Sequence, residues 1–316
     1  MKRFRSRRRR IAALALLPAT ALVSIAITTA PAAAAEGTAV SLKASKGKVK
    51  AGAKVKLRGR FPARVETQAA GDETAAARAD RRVRIEFQPA GKSRWQGAKL
   101  TVSDRKGRYT RELKVRRSGF YRAVAADGRA SKPERVRVKS RLRVKVKRRH
   151  ATVGQNVAIV GKVQPGITKR KVLVKVGSKK LKTRTNRNGQ FKLIWSASGV
   201  GSYKVKAAAK GDRVAAGSSD KAGKTTVYRP AAASYYGPGL YGNGTACGQT
   251  LTPSTEGVAH KTMPCGTKLR LRYQGRTVTA RVIDRGPYAA GREFDLTYAT
   301  KQKLGFGGTG TVYSNR

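Results

Sequence analysis

From Glu36 to Tyr228 the chain alternates apolar and basic residues, as in Val55-Lys56-Leu57-Arg58 and Val172-Leu173-Val174-Lys175-Val176. Successive side chains on a strand point to opposite faces, so such a run can bury one face and leave the other, charged, in water. Val and Ile at the apolar positions favour strands over helices, and Gly and Asn recur between the runs as turn residues. This part of the chain is therefore restricted to half-buried β-structure.

An internal repeat sharpens the expectation. The segment around Gly52, Val55, Leu57, Gly59 and Phe61 matches that around Gly154, Val157, Ile159, Gly161 and Val163 at an offset of 102. At an offset of 82, Asp104-Arg105-Lys106-Gly107-Arg108-Tyr109 matches Asn186-Arg187-Asn188-Gly189-Gln190-Phe191. Both read as hairpin turns in which Gly supplies φ > 0. The change of offset falls at 64–81, an Ala-rich stretch with four carboxylates, read as a loop inserted in the first copy. Each copy is expected to be an immunoglobulin-like sandwich of roughly 90 residues, and they resemble the immunoglobulin-like modules of bacterial surface proteins. Trp95 and Trp195 are expected in strands or core, and His150 at the surface of a basic run.

Lys and Arg number 71 against 16 Asp and Glu, a formal net charge of +55. That balance predicts attraction to polyanions: nucleic acid, anionic lipid or anionic cell-wall polymers. The N-terminus narrows the choice. Met1 to Arg10 is strongly basic, Ile11 to Ile27 is apolar but broken by Pro18, Thr20 and Ser24, and Ala33-x-Ala35 offers a small-residue cleavage site. This is the pattern of a secretory signal peptide; an uncleaved anchor is the alternative, and the arginine run leaves Sec and twin-arginine export open. A secreted or wall-associated protein is expected, with no stable membrane anchor and no specific nucleic-acid partner. The basic modules at 36–229 would then hold it electrostatically to anionic wall polymers such as teichoic acids, in a salt-sensitive way. The expected division is a signal peptide at 1–35, basic modules at 36–140 and 141–229, and a C-terminal domain at 230–316, with Arg229 to Ala232 as a short linker.

The C-terminal domain differs in character. Gly237 to Gly244 holds four glycines and a proline, a loop where backbone can approach a ligand. Lys268–Tyr273 and Arg276–Ile283 alternate around Gln274-Gly275 as a hairpin, Asp284-Arg285-Gly286-Pro287 ends the second run, and Thr297 is placed to cap a short helix. Cys247 and Cys265, 18 apart, are the only cysteines. In a secreted domain one disulfide is expected, contributing about 3 kcal/mol by loop closure; two free thiols are the alternative. No Cys/His spacing asks for a metal or other cofactor.

Five segments in order, Ala-Ser-Tyr-Tyr-Gly-Pro-Gly (233–239), Thr-Ala-Cys-Gly (245–248), Ala-His-Lys-Thr-Met-Pro (259–264), Val-Ile-Asp-Arg-Gly-Pro-Tyr (282–288) and Gly-Arg-Glu-Phe-Asp-Leu-Thr (291–297), resemble the rare lipoprotein A-like double-psi β-barrel family, in its disulfide-bearing branch. The resemblance covers 233–316 and not 36–229. It implies a six-stranded double-psi barrel, completing an all-β chain. It implies lytic transglycosylase action on peptidoglycan glycan strands, with Asp284 and His260 as catalytic residues and Asp295 in the same groove. The fold is shared with expansins, so a non-catalytic, wall-loosening glycan binder is the second reading. A cationic protein directed at nucleic acid or a protein partner outside the cell is a third. Gln249 stands where many members have Glu, which removes one candidate acid.

The chemistry itself asks for one carboxyl group that protonates the leaving glycosidic oxygen and then accepts the proton of the sugar's own 6-hydroxyl as the anhydro ring closes. Asp284, at a strand end, is the candidate, with His260 orienting the sugar or sharing the proton and Asp295 stabilising positive charge on the ring or positioning Asp284. Arg285, Tyr236 and Tyr288 are candidate sugar contacts, as Tyr235 and Tyr241 can also be. In the structural reading of the same residues, Asp284 caps a turn or pairs with Arg285, and the tyrosines are packing.

Overall fold

The computed structural model describes residues 40–61 and 81–316. The expected signal peptide at 1–35 lies outside the described residues, as does the expected insertion at 64–81 apart from Arg81. Among the described residues no helix is long and apolar enough to cross a membrane.

The chain is nearly all β. The first module contains β1 (Lys43–Ala44), β2 (Lys48–Lys50), β3 (Ala53–Arg60), β4 (Arg82–Pro89), β5 (Gln96–Val102), β6 (Arg108–Val115), β7 (Gly119–Ala125) and β8 (Glu134–Lys139). The second contains β9 (Arg141–Val146), β10 (His150–Thr152), β11 (Asn156–Gln164), β12 (Lys171–Val176), β13 (Lys179–Arg184), β14 (Gln190–Ser196), β15 (Gly201–Ala209) and the long β16 (Ser218–Tyr236). The two sheets of the first run β1-β3-β6 and β2-β8-β7-β4-β5; those of the second run β9-β11-β14 and β10-β16-β15-β12-β13. The order is the same element for element, down to the short parallel pairs β2–β8 and β10–β16.

The alternating pattern explains both cores. Val55, Leu57, Val83, Ile85, Ala123, Val136 and Val138 of the first module are each at most 1% exposed and come from both of its sheets. Val157, Ile159, Val174, Val205 and Val227 do the same in the second, with Trp195 packed among them. Trp95 is half-buried, its ring under the Arg122 guanidinium at 4.3 Å. Ala215, from a loop of the second module, completes the core of the first.

The repeat also has a packing reason. Gly59 is in register with Tyr109, and Gly161 with Phe191. A Cβ at either glycine would come closer than 3.0 Å to that aromatic ring and to a neighbouring backbone carbonyl. The aromatic lies across the bare backbone of the adjacent strand, which explains why glycine interrupts each β-branched run at this point.

Two expectations need correction. Arg229 to Ala232 is no linker: it is the middle of β16, a single strand of 19 residues. Its pairing passes directly from β15 and β10 at Val227 and Tyr228 to β21 at Arg229, so backbone hydrogen bonding continues across the join. His150 is not a plain surface residue. It is half-buried on β10, with Nδ1 2.9 Å from the Tyr228 hydroxyl.

Beyond Tyr236 the chain adds β17 (Val258–Ala259), β18 (Lys268–Tyr273), β19 (Arg276–Asp284), β20 (Phe294–Thr297), α1 (Tyr298–Leu304) and β21 (Gly310–Ser314). The hairpin turn between β18 and β19 has φ of 41° at Gln274 and 86° at Gly275, the double left-handed turn that suits a tight hairpin. With the end of β16, these strands close a six-stranded ring, β16-β20-β17-β19-β18-β21 and back to β16. Leu269, Leu271, Val282, Phe294, Leu296 and Val312 fill it. Thr297 caps α1, its side chain accepting from the Thr300 N–H.

Candidate active site on the barrel

Strand register places the acids. β17 lies between β19 and β20, and Ala259 is the Cα partner of both Asp284 and Asp295. A β-bulge in the β17–β19 pairing between Val258 and Ala259 brings Asp284 rather than Ile283 opposite Ala259, so the two aspartates flank Ala259, with Cα atoms about 10 Å apart at ordinary strand spacing. On the other side of Asp295, Ser234 of β16 is its register partner, and the Ser234 hydroxyl donates to Asp295 Oδ1. Tyr236, two residues along β16, returns to the same face.

Asp284 is held at one oxygen. Its Oδ1 accepts the N–H of Ala246 at 2.9 Å and of Arg285 at 2.8 Å, while Oδ2 has no hydrogen-bond partner among the described residues. The Tyr236 hydroxyl is buried and has no partner of good geometry either. Burial first, then the charge of Asp284 and a weak hydrogen-bonding contact with it, and last the charge of Asp295, raise the Tyr236 pKa far above its ordinary value. The phenol is thus a neutral donor close to both carboxylates. Gly237 follows at φ 143°, where a Cβ would press on Tyr298 and Tyr241.

The disulfide Cys247–Cys265 is formed, and it brackets Asp284. Ala246, next to Cys247, supplies one N–H to the carboxylate. Cys265 Sγ lies 3.4 Å from Nη2 of Arg285. Nη1 of Arg285 donates to the carbonyl of Met263 at 3.1 Å and reaches that of His260 at 3.4 Å. Arg285 therefore ties down the 260–265 loop and makes no ion pair with the Asp284 carboxylate.

His260 is brought alongside Asp284 through its backbone, its N–H bonding the Asp284 carbonyl at 3.1 Å. Its imidazole does another job. Nδ1 accepts the N–H groups of Thr262 at 3.1 Å and Met263 at 2.9 Å, which places the proton of the neutral ring on Nε2. Nε2 faces Glu293 Oε1 at 4.0 Å, and Glu293 is held by Arg229. Burial lowers the His260 pKa most, Arg229 and Arg285 lower it further, and Glu293 opposes them. The ring is a neutral Nε2–H donor, and no hydrogen bond joins it to either aspartate among the described residues.

Asp284, Asp295 and Tyr236 thus converge, His260 adjoins them with its imidazole toward Glu293, and Tyr288 stands apart at 83% exposure. Tyr235 and Tyr241 are also exposed, with Lys301 Nζ 4.4 Å from the Tyr235 ring. The sequence reading missed Ser234, Arg229 and Glu293. Period-two spacing puts Ser234 beside Tyr236 and Glu293 beside Asp295, a signal available in the sequence; nothing in it pairs Arg229 with Glu293.

The family described as "Lytic transglycolase" matches residues 231–314. Endolytic peptidoglycan transglycosylase RlpA of Pseudomonas aeruginosa is 41% identical over 82 residues, 25% of this chain and 24% of that protein. Probable endolytic peptidoglycan transglycosylase RlpA of Aquifex aeolicus is 43% identical over 75 residues, 23% of this chain and 33% of that protein. The corresponding Campylobacter jejuni protein is 38% identical over 82 residues, 25% and 30% of the two chains. This chain spans about a quarter to a third of the length of these relatives. Likeness to solved structures is weak: the Yersinia pseudotuberculosis adhesin InvE covers 60% of this chain at 12% identity and a TM-score of 0.33, too low to assign a fold. The closed six-stranded ring, the order of its motifs and these relatives agree, and residues 231–314 are an RlpA-like double-psi β-barrel domain.

Proposed function

We propose that this is a secreted cell-wall protein whose barrel cleaves peptidoglycan glycan strands as a lytic transglycosylase. The observation that carries the reading is the state of Asp284: Oδ1 anchored by two N–H groups, no well-formed hydrogen bond on Oδ2 among the described residues, and the buried Tyr236 hydroxyl close enough to interact with the carboxylate. A carboxyl group fixed in this way can present one oxygen to a glycosidic linkage. In the protonated form it gives its proton to the leaving oxygen; the resulting carboxylate takes the proton of the 6-hydroxyl as that oxygen closes on the anomeric carbon. Asp295, steadied by Ser234, lies where negative charge offsets the positive charge developing on the sugar ring. Tyr236 and the Nε2–H of His260 are donors for sugar oxygens. Peptidoglycan as the substrate class is supported by the likeness to endolytic peptidoglycan transglycosylases.

The two basic modules are read as immunoglobulin-like sandwiches that hold the barrel at anionic wall polymers such as teichoic acids. One observation favours the second reading, a non-catalytic, expansin-like binder: the imidazole of His260 is engaged with backbone and with Glu293, not with Asp284.

Incubation of the purified protein with peptidoglycan, followed by mass spectrometry for 1,6-anhydromuramyl ends, separates the two. Anhydro products that vanish in Asp284→Asn establish the enzyme. Retention on peptidoglycan without such products, unchanged in Asp284→Asn, establishes the binder and ends the catalytic reading.

A further inference from the structure

The second module, 141–229, carries 24 Lys and Arg but only two carboxylates, Asp212 and Asp220. Both are engaged: Asp212 pairs with Arg170 at 2.7 Å, and Asp220 accepts the Val144 N–H at 2.9 Å. Strand register then arranges the cations on the outward face of β13, β12, β15 and β16. Lys180 is opposite Lys175, Lys175 opposite Lys206, and Lys206 opposite Lys221, giving one row of four lysines across four strands. A bulge that skips Ala222 sets Lys221 in that row. Arg184 and Lys171 are likewise opposite each other, with Lys210 bonded through its N–H to the Lys171 carbonyl. All seven are exposed. Between the rows, Leu173 and Ala208 floor a shallow trough of about 760 Å³ walled by Lys171, Lys182, Arg184 and Lys210.

Like charges directly opposite one another destabilise a sheet. In the matching sheet of the first module, among the described residues, like charges meet only at the short edge pair, Lys48 opposite Arg137 and Lys50 opposite Lys139, while across its middle Glu86 sits between Arg84 and Arg122 at 2.8 Å from each. Among the described residues no carboxylate compensates the repulsion on this face of the second module, so an external polyanion has the most to offer there. Strand spacing of ~4.8 Å and alternate-residue spacing of ~6.8 Å make a net of cations that a flexible chain of phosphates can follow.

We infer that this face is a binding site for a linear polyol-phosphate polymer, its backbone along the trough and its phosphates on the lysine rows. This rests on the reading that the protein works at the cell wall. A base-bearing polymer fits less well. The exposed large aromatics among the described residues, Tyr235, Tyr241, Tyr288 and Tyr313, all lie in the barrel, so the face offers no platform on which bases stack. β16 carries Lys221 on this face and Tyr236 in the barrel site, about 50 Å along one strand. A bound polymer would therefore hold the site at a fixed reach.

The test compares two fourfold Lys→Gln variants of the full chain. One changes Lys175, Lys180, Lys206 and Lys221; the other changes Lys46, Lys92, Lys106 and Lys132, exposed lysines of the first module that face no cation across a strand pair. Binding to poly(glycerol phosphate) is measured by calorimetry at physiological salt. The face variant is expected to lose about tenfold or more in affinity and the control about threefold or less, with the melting temperature of the face variant unchanged or raised. Equal losses in both would reduce the effect to net charge and overturn the site. Tighter binding of single-stranded DNA with the same number of phosphates, weakened by the same four changes, would assign the face to nucleic acid and overturn it too. Cleavage of polymer-free peptidoglycan by the face variant reports the barrel separately, so failure of one reading is told from failure of the other.

Discussion

Arg229 and Glu293 form a two-pronged ion pair, Nη1 to Oε2 at 2.7 Å and Nη2 to Oε1 at 2.5 Å. The arginine belongs to the strand shared by the second module and the barrel, the glutamate to the residue before β20, and His260 Nε2 faces the same carboxylate at 4.0 Å. The join between module and barrel thus helps set the charge at the candidate site. Arg229→Gln removes a cation that lowers the His260 pKa and leaves the anion that raises it, so that pKa rises. Glu293→Gln does the reverse. NMR titration of the imidazole reads both, and coincident curves would show that the pair does not act on His260. The pair is partly exposed, so either change costs only about 1 kcal/mol or less of stability.

Stability itself should respond to pH near neutrality. Burial lowers the pKa of His260 and, with Arg272, Arg270 and Arg149 nearby, that of His150. Both folded values lie below the ordinary 6.5, so the unfolded chain binds more protons as pH falls past that point. The contribution of the neutral rings is complete above pH 6.5 and is lost as pH drops through 6.5 toward the folded values. The melting temperature is expected to be level at higher pH and to decline on acidification in this range. Glu86, Glu112 and Asp127, whose pKa values are lowered, act only below their ordinary values of 4.5, 4.5 and 3.8. Replacing both histidines by Gln should flatten the upper part of the decline; a slope unchanged in that variant would locate the effect elsewhere.

The strands were legible because period-two burial is a local property: Val55, Leu57, Val157 and Ile159 announce their face in the sequence. The Cys247–Cys265 bridge and the cap at Thr297 were equally local. What was not legible came from pairing between distant segments. Nothing near Arg229 indicates that β16 passes unbroken from one module into the next, because its partners are residues 201 and 314. His150 reads as one more polar residue in a basic run until β10 lies beside Tyr228. The orientation of the His260 ring is likewise set by the 260–263 turn and by Glu293, which no spacing rule joins to it.

The glycine of the repeat offers a test of the modules. Gly161→Ala should destabilise the second module by about 1–3 kcal/mol, since the added Cβ meets both the Phe191 ring and the Arg143 carbonyl. Gly128→Ala is a poor comparison because φ there is 84°, whereas Gly97 has open space and no positive φ. Thermal melts of Gly161→Ala and Gly97→Ala should differ accordingly; equal melts would mean that the aromatic does not rest on the glycine.

Tyr236 separates catalysis from packing. Its hydroxyl is buried with only a poorly aligned contact to Asp284, and a buried polar group left without a good partner costs about 1–3 kcal/mol. Tyr236→Phe should leave the melting temperature unchanged or higher. Anhydro-product formation should fall at least about tenfold if the phenol donates to the sugar as its bond breaks. A lower melting temperature with unaltered cleavage would make Tyr236 a structural residue.

The disulfide bears on both stability and the position of the acid. Cys247 adjoins Ala246, whose N–H holds Asp284 Oδ1, and Cys265 contacts Arg285, the other donor to that oxygen. Reduction frees both ends of this bracket at once. A double Cys→Ala variant should lose about 3 kcal/mol from the 18-residue loop. The informative arm is activity well below the melting temperature of the variant. If the bracket positions the carboxyl group, cleavage falls there while binding to peptidoglycan changes little, since the sheet residues Ser234, Asp295 and Tyr236 keep their register without the bridge. If cleavage is retained in full, β19 alone holds Asp284, and the bridge serves only to stabilise the barrel.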